Sequence, residues 1–127
     1  MTTEPLAVVE AYLAAQAARD FDAVRALLAD EGFIYMSPIA RFVSADEFVQ
    51  YSALSGGIIV DREVHQVVIE GADVCHILSY RIQISEKIAV RVAHWARVQA
   101  GRIQRIETFF DASVYRDLFP LEDAGPR

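Results

Sequence analysis

Residues 92–111, VAHWARVQAGRIQRIETFFD, put His94 and Trp95 just before a turn and Asp111 well after it. An imidazole, a carboxylate and an aromatic ring on one hairpin are parts from which an acid–base site is built. They are equally the parts of a packed strand pair with charges facing solvent. The other chemistry-bearing residues are His65 and His76 and the tyrosines Tyr12, Tyr35, Tyr51 and Tyr80. Imidazoles titrate near neutral pH and phenols donate hydrogen bonds, so these types suit proton transfer. The three histidines lack ligand-like spacing and HExxH is absent, so no metal is expected. No phosphate-cradling glycine loop, nucleophile elbow or dinucleotide fingerprint occurs, and no cofactor is expected. The single cysteine, Cys75, excludes an intrachain disulfide and reads as a small thiol buried in a strand.

The chain has 127 residues, 54% of them hydrophobic and 24% charged, enough for one domain with one core. That domain is read over 1–127, ordered from about residue 5 to residue 119, with PLEDAGPR from Pro120 as a tail. A net charge of −6 argues against nucleic acid as a partner, since phosphates demand a basic face. No apolar run approaches the ~18 residues of a membrane span. The N-terminus MTTEPLAVVE has no basic stretch, so a cytoplasmic location is expected.

Several elements must position these residues. Leu6, Val9, Leu13 and Ala17 mark one face of a helix running from Pro5 to about Ala18. Val8, Tyr12 and Ala15 add a second apolar edge, so this helix is covered on more than one side. Asp20 caps a short second helix. FIYMS is a short strand stopped at Pro38, and Ser44-Ala45-Asp46-Glu47 fits a capping box that opens a third helix. Four long β-rich runs follow, broken at EGAD, SEK and QAG. The expected fold class is α+β: a curved antiparallel sheet wrapped around N-terminal helices.

The runs VVEAYLAAQAARDFDAVRALLADEGFIYMSP and HWARVQAGRIQRIETFFD resemble the nuclear transport factor 2-like superfamily, and within it the SnoaL-like proteins. The resemblance implies a cystatin-like α+β cone with a conical pocket open at one end. It also implies a choice of activities, because this fold hosts isomerases, dehydratases, epoxide hydrolases, polyketide cyclases and non-catalytic binders. Set against ketosteroid isomerase, Tyr12 matches a functional tyrosine, while Ser37 and Ala93 stand where that enzyme has its base and its second acid. Serine is no general base near neutral pH, so that mechanism is set aside. The late-strand acid of polyketide cyclases is represented only by Asp111, read here as capping the turn ASVYRDLF.

The same registration implies which residues line the pocket. With Ala93 inward, Arg91 and Trp95 follow by alternation, and His94 faces out. Across a two-residue Ala100-Gly101 loop, Trp95 then pairs with Ile106, Ala93 with Thr108 and Arg91 with Phe110, and a one-residue slip reverses all of this. On the preceding strand His76, Leu78 and Tyr80 face inward, joining Tyr12, Tyr35, Ser37 and Tyr51 in an aromatic lining. Arg91 would hold a ligand carboxylate or pair with an acid near the rim such as Glu86. The ligand class expected is a small hydrophobic molecule bearing a carbonyl or hydroxyl.

Two readings stay open. One is a cofactor-free acid–base enzyme (lyase, isomerase or cyclase) using His76 with Tyr12. The other is a non-catalytic binding or dimerisation domain. It would pair as a homodimer through an outer face of Val90, Val92, His94 and Ala96 beside Arg105, Glu107 and Phe109.

Overall fold

The computed structural model describes residues 4–55, 59–83 and 87–113. Helix α1 (Pro5–Ala18) starts on a proline, whose missing N–H is no loss in a first turn. It buries Val8, Val9, Tyr12 and Leu13 and ends on Arg19 in the left-handed region. Asp20 caps α2 (Phe21–Ala26) by accepting from the Ala23 N–H at 3.2 Å. Ser44 caps α3 (Ala45–Ser55), its hydroxyl accepting from the Glu47 N–H at 3.3 Å, which is half of the capping box. Arg25 bridges Asp46 at 2.7 Å and Asp30 at 3.0 Å, tying α2 to the start of α3.

Two short strands, β1 (Ile34–Met36) and β2 (Arg41–Phe42), precede four long ones: β3 (Ile59–Glu70), β4 (Asp73–Gln83), β5 (Lys87–Gln99) and β6 (Arg102–Phe109). They form one open, curved sheet in the order β2-β1-β6-β5-β4-β3. Strand β2 is an addition to the sequence reading, too short for its pattern to register there. The pairings are antiparallel except β1 with β6, which run parallel. Alpha helices on one side of a largely antiparallel sheet make the α+β class expected. The core lies between α1 and the sheet, where Leu28, Phe33, Leu78, Ile103 and Ile106 are fully buried.

The hairpin joining β5 to β6 decides which side chains face that core. Its loop is Ala100-Gly101, both with positive φ (54° and 76°), the backbone of a two-residue turn matched to strand twist. Gln99 pairs with Arg102 and Val98 with Ile103, but Arg97 then pairs with Arg105, so Gln104 is an extra residue on β6. Such a bulge puts Ile103 and Ile106 on the same face despite a spacing of three. Beside it, the Ile103 N–H donates to the Leu27 carbonyl at 2.8 Å and the Ile103 carbonyl accepts from the Ala29 N–H at 2.9 Å. The tail from Pro120, most of ASVYRDLF and the SEK break lie outside the described residues, apart from Lys87.

Candidate functional site

On β4 and β5 the register sets His76 opposite His94, Leu78 opposite Val92 and Cys75 opposite Trp95. Alternation then divides the ladder. His76 and His94, at 2% and 3% exposure, face α1 and the core, together with Val74, Leu78, Val90 and Ala96. Cys75, Ala93 and Trp95 face the other way.

Three elements close over the two imidazoles. From α1, the Tyr12 ring sits 5.7 Å from that of His94, and its hydroxyl accepts from Gln16 Nε2 at 3.0 Å. Gln16 also reaches the Ser52 hydroxyl of α3 at 3.4 Å. From β3, Arg62 stands opposite Tyr80 and donates to the Leu13 carbonyl, which ties β3 to α1. From β6, Thr108 stands opposite His94 and exchanges a 3.4 Å hydrogen bond with the Tyr35 hydroxyl. Farther along, Phe48 stacks on Tyr35 at 4.4 Å and Phe42 lies 4.9 Å from Tyr51, an aromatic end wall.

Burial sets the charge state of these groups. It drives His94 down to about 4, helped by neighbouring His76 and Arg62, and only its own backbone favours the charged ring. Burial also lowers His76, opposed in part by the charge of Glu10. Tyr12 rises well above the usual phenol value, through burial first and then Tyr80. At neutral pH the interior therefore holds two neutral imidazoles and an un-ionised phenol. Nδ1 of His76 and both ring nitrogens of His94 are buried without a hydrogen-bond partner. Among the described residues no carboxylate is buried, and no His, Cys, Asp and Glu group could hold a metal ion.

Three residues expected in the pocket lie elsewhere. Arg91, Ala93 and Trp95 are on the outer face, Arg91 exposed and Trp95 donating its indole N–H to Asp73 at 3.0 Å. His94, expected outside with Val90, Val92 and Ala96, is buried inside with them. The physical reason is the apolar alternation of Val90, Val92, Ala96 and Val98, which turns residue 94 inward. The Gln104 bulge on β6 sets Trp95 opposite Glu107 and keeps Ile106 and Thr108 on the inner face. Glu86, named as a rim partner for Arg91, lies outside the described residues.

The other candidates sit as follows. Tyr12, His76, Leu78 and Thr108 are buried on the inward face, and Tyr35, Tyr51, Tyr80 and Phe110 pack against the same core while partly exposed. Ser37 spends its hydroxyl on the turn at Pro38, accepting from the Ile39 and Ala40 N–H groups at 3.2 and 3.1 Å. Asp111 accepts from the Ser113 N–H at 2.9 Å, a local turn contact. His65 is exposed, 2.7 Å from the Ser79 hydroxyl. His94 is the residue that sequence reasoning missed. The signal was the alternation of Val90, Val92, Ala96 and Val98 against Arg91, Arg97 and Gln99, which places residue 94 in the apolar register.

The outer face has a hollow of about 440 Å³ lined by Val68, Glu70, Asp73, Cys75, Ala93, Trp95 and Phe109. Cys75 is partly exposed there rather than buried, and its thiol is pushed up by desolvation. At the rim Arg97 grips Asp73 with two 3.0 Å bonds.

Among solved structures, an NTF2-like protein from Burkholderia thailandensis is 26% identical, with 94% of this chain and 100% of that one aligned at a TM-score of 0.78. An LEH-like epoxide hydrolase from M. tuberculosis is 25% identical, covering 98% of both chains at a TM-score of 0.77. A protein from Kribbella flavida, 22% identical over 98% of this chain and 100% of its own, shares the fold at a TM-score of 0.81. No curated protein matches the chain. The model of the SnoaL-like domain family matches residues 9–106, most of the chain and all of the β4–β5 ladder, and the protein belongs to that family, with an NTF2-like fold.

Proposed function

We propose that the protein is a small acid–base enzyme, a lyase, isomerase or cyclase working without a cofactor on a hydrophobic carbonyl or hydroxyl compound. The supporting observation is the inward pair His76–His94 under the Tyr12 ring, neutral imidazoles beside phenols in an aromatic surround. In the reading, a ring nitrogen of His76 takes a proton from the carbon next to a carbonyl. The C–H electron pair becomes the new C=C bond, the carbonyl π pair moves onto oxygen, and the proton is returned at the same or a conjugated carbon. Tyr12, held as a phenol, donates to that oxygen. Exchange of the α-protons of 2-tetralone in D₂O, followed by NMR, tests this. His76→Gln should slow exchange by roughly a hundredfold or more with the fold intact. Unchanged exchange removes His76 from the mechanism.

A second reading has its own observation. Around the outer hollow Val68 and Phe109 are 54% and 53% exposed, an apolar patch of the kind that marks a contact surface. In this reading the face pairs with a second copy of the chain. Sedimentation at micromolar concentration should give a dimer that Phe109→Asp converts to monomer. A monomeric parent protein ends this reading.

A further inference from the structure

His94 carries two hydrogen-bonding nitrogens into a place where neither meets a partner in hydrogen-bond geometry, its own backbone acting on the ring only electrostatically. Water does not reach them and no described group pairs with them. Each neighbouring element withholds a partner. His76 across the β4–β5 ladder has its own Nδ1 unpaired, and Thr108 across the β5–β6 ladder is turned to the Tyr35 hydroxyl. On α1, Tyr12 presents its ring, its hydroxyl being bonded to Gln16. Arg62 on β3 turns a guanidinium N–H to the Leu13 carbonyl, and its charge disfavours only the protonated form of His94. An apolar side chain of similar size would fill this position without burying unmatched polar atoms. The imidazole is thus a cost to the fold, of the kind kept where a ligand uses it.

We infer that His94 is a ligand-recognising residue, its neutral imidazole donating a hydrogen bond to the oxygen of a planar carbonyl or enol compound bound beside His76. The inference rests on the acid–base reading above and narrows its substrate class. The oxygen acceptor must lie on the sheet side, against β5, with the ring of the compound among Tyr12, Tyr35 and Phe48. To get there the ligand parts the Tyr12–His94 ring contact, which the single Gln16 bond tethers at the hydroxyl end. A hydrocarbon of the same shape leaves the donor unpaired, as it is in the free protein, and forgoes that one hydrogen bond.

The probe is 2-naphthol, a stable enol, titrated by fluorescence and by NMR of the imidazole nitrogens. The expected result is binding with a shift of the His94 ring resonances, and about tenfold weaker binding of naphthalene without that shift. His94→Phe should be at least as stable as the parent at neutral pH while binding about tenfold more weakly, the worth of one hydrogen bond. His94→Gln, which keeps a donor, should recover part of the loss, and His76→Ala should leave the His94 contact in place. If 2-naphthol binds and moves His76 while His94 stays still, the inference on His94 falls and the acid–base reading stands. If His94 moves but tetralone exchange is unaffected by His76→Gln, the recognition role stands and the proton-transfer role falls. If 2-naphthol moves neither imidazole, the inference on His94 falls, and the tetralone exchange alone decides the acid–base reading.

Discussion

Cys75 and His76 are neighbours in sequence, as are His94 and Trp95, yet each pair is divided between two environments by the strand pleat. On the inner side the ladder meets α1, and a buried imidazole loses both water and charge. On the outer side the Trp95 indole and the Arg97 guanidinium share Asp73 in partly exposed contacts, where an ion pair is screened and cheap to lose. The same two strands therefore carry groups that matter through desolvation and groups that matter little to stability. Polarity is tolerated outside because water remains available. Inside, each polar atom needs a reason.

Substitutions on the two sides should separate by magnitude. Leu78, fully buried opposite Val92, leaves a cavity when cut to alanine, and Leu78→Ala should cost about 3 kcal/mol in urea unfolding. Phe109→Ala, on the outer side and half exposed, should cost less than about 1 kcal/mol. Comparable losses would mean that the outer face is covered as thoroughly as the core.

Acid should find the inner side first. The His94 value is about 4 in the folded chain and the ordinary value is 6.5, so between these limits the unfolded chain binds the extra proton. Stability from neutral His94 is complete above the ordinary value and is lost as pH falls toward 4, with no further loss from this group below that. At ~1.4 kcal/mol per unit the loss is about 3 kcal/mol, and the lowered His76 adds in the same direction. Urea midpoints from pH 7 to pH 4 should show this slope, and His94→Leu should flatten most of it. A slope unchanged in that variant would place the acid sensitivity elsewhere. On the outer side, Asp73→Asn should give a small loss near neutral pH that about 1 M NaCl removes. Salt-independent loss would mark the Asp73–Arg97 pair as desolvated, unlike the exposure of both side chains.

The helices, their caps and the four long strands were legible because each rests on local chemistry: a proline at a first turn, Asp20 and Ser44 at helix starts, β-branched runs between turns. The inward placing of His76, Leu78, Tyr80 and Thr108 was legible too, through alternation. The facing of β5 was misread because the resemblance fixed Ala93 inward, and strict alternation on β6 then agreed with it. A bulge breaks such agreement without changing composition, since one unpaired residue shifts every pair beyond it. The clue was Ile103 and Ile106, apolar at a spacing that no regular strand buries on one side.

Gln104 is therefore the residue to remove in order to test what divides the two faces. Without it, Val98 would still pair with Ile103 and Arg97 with the residue that follows, so the ladder becomes regular and no side chain needs to change sides. The deletion should keep the fold, and its urea midpoint should retain the acid slope assigned to buried His94. It should also leave the Trp95 emission unaltered, since that ring keeps its place against Asp73. If the acid slope vanishes and the Trp95 emission shifts to that of a core indole, the faces have exchanged. The bulge, rather than the apolar alternation of Val90, Val92, Ala96 and Val98, would then hold His94 inside. The expectation follows from energetics: turning β5 over would expose four buried apolar side chains and bury Arg91 and Arg97, which no gain at one bulge can offset.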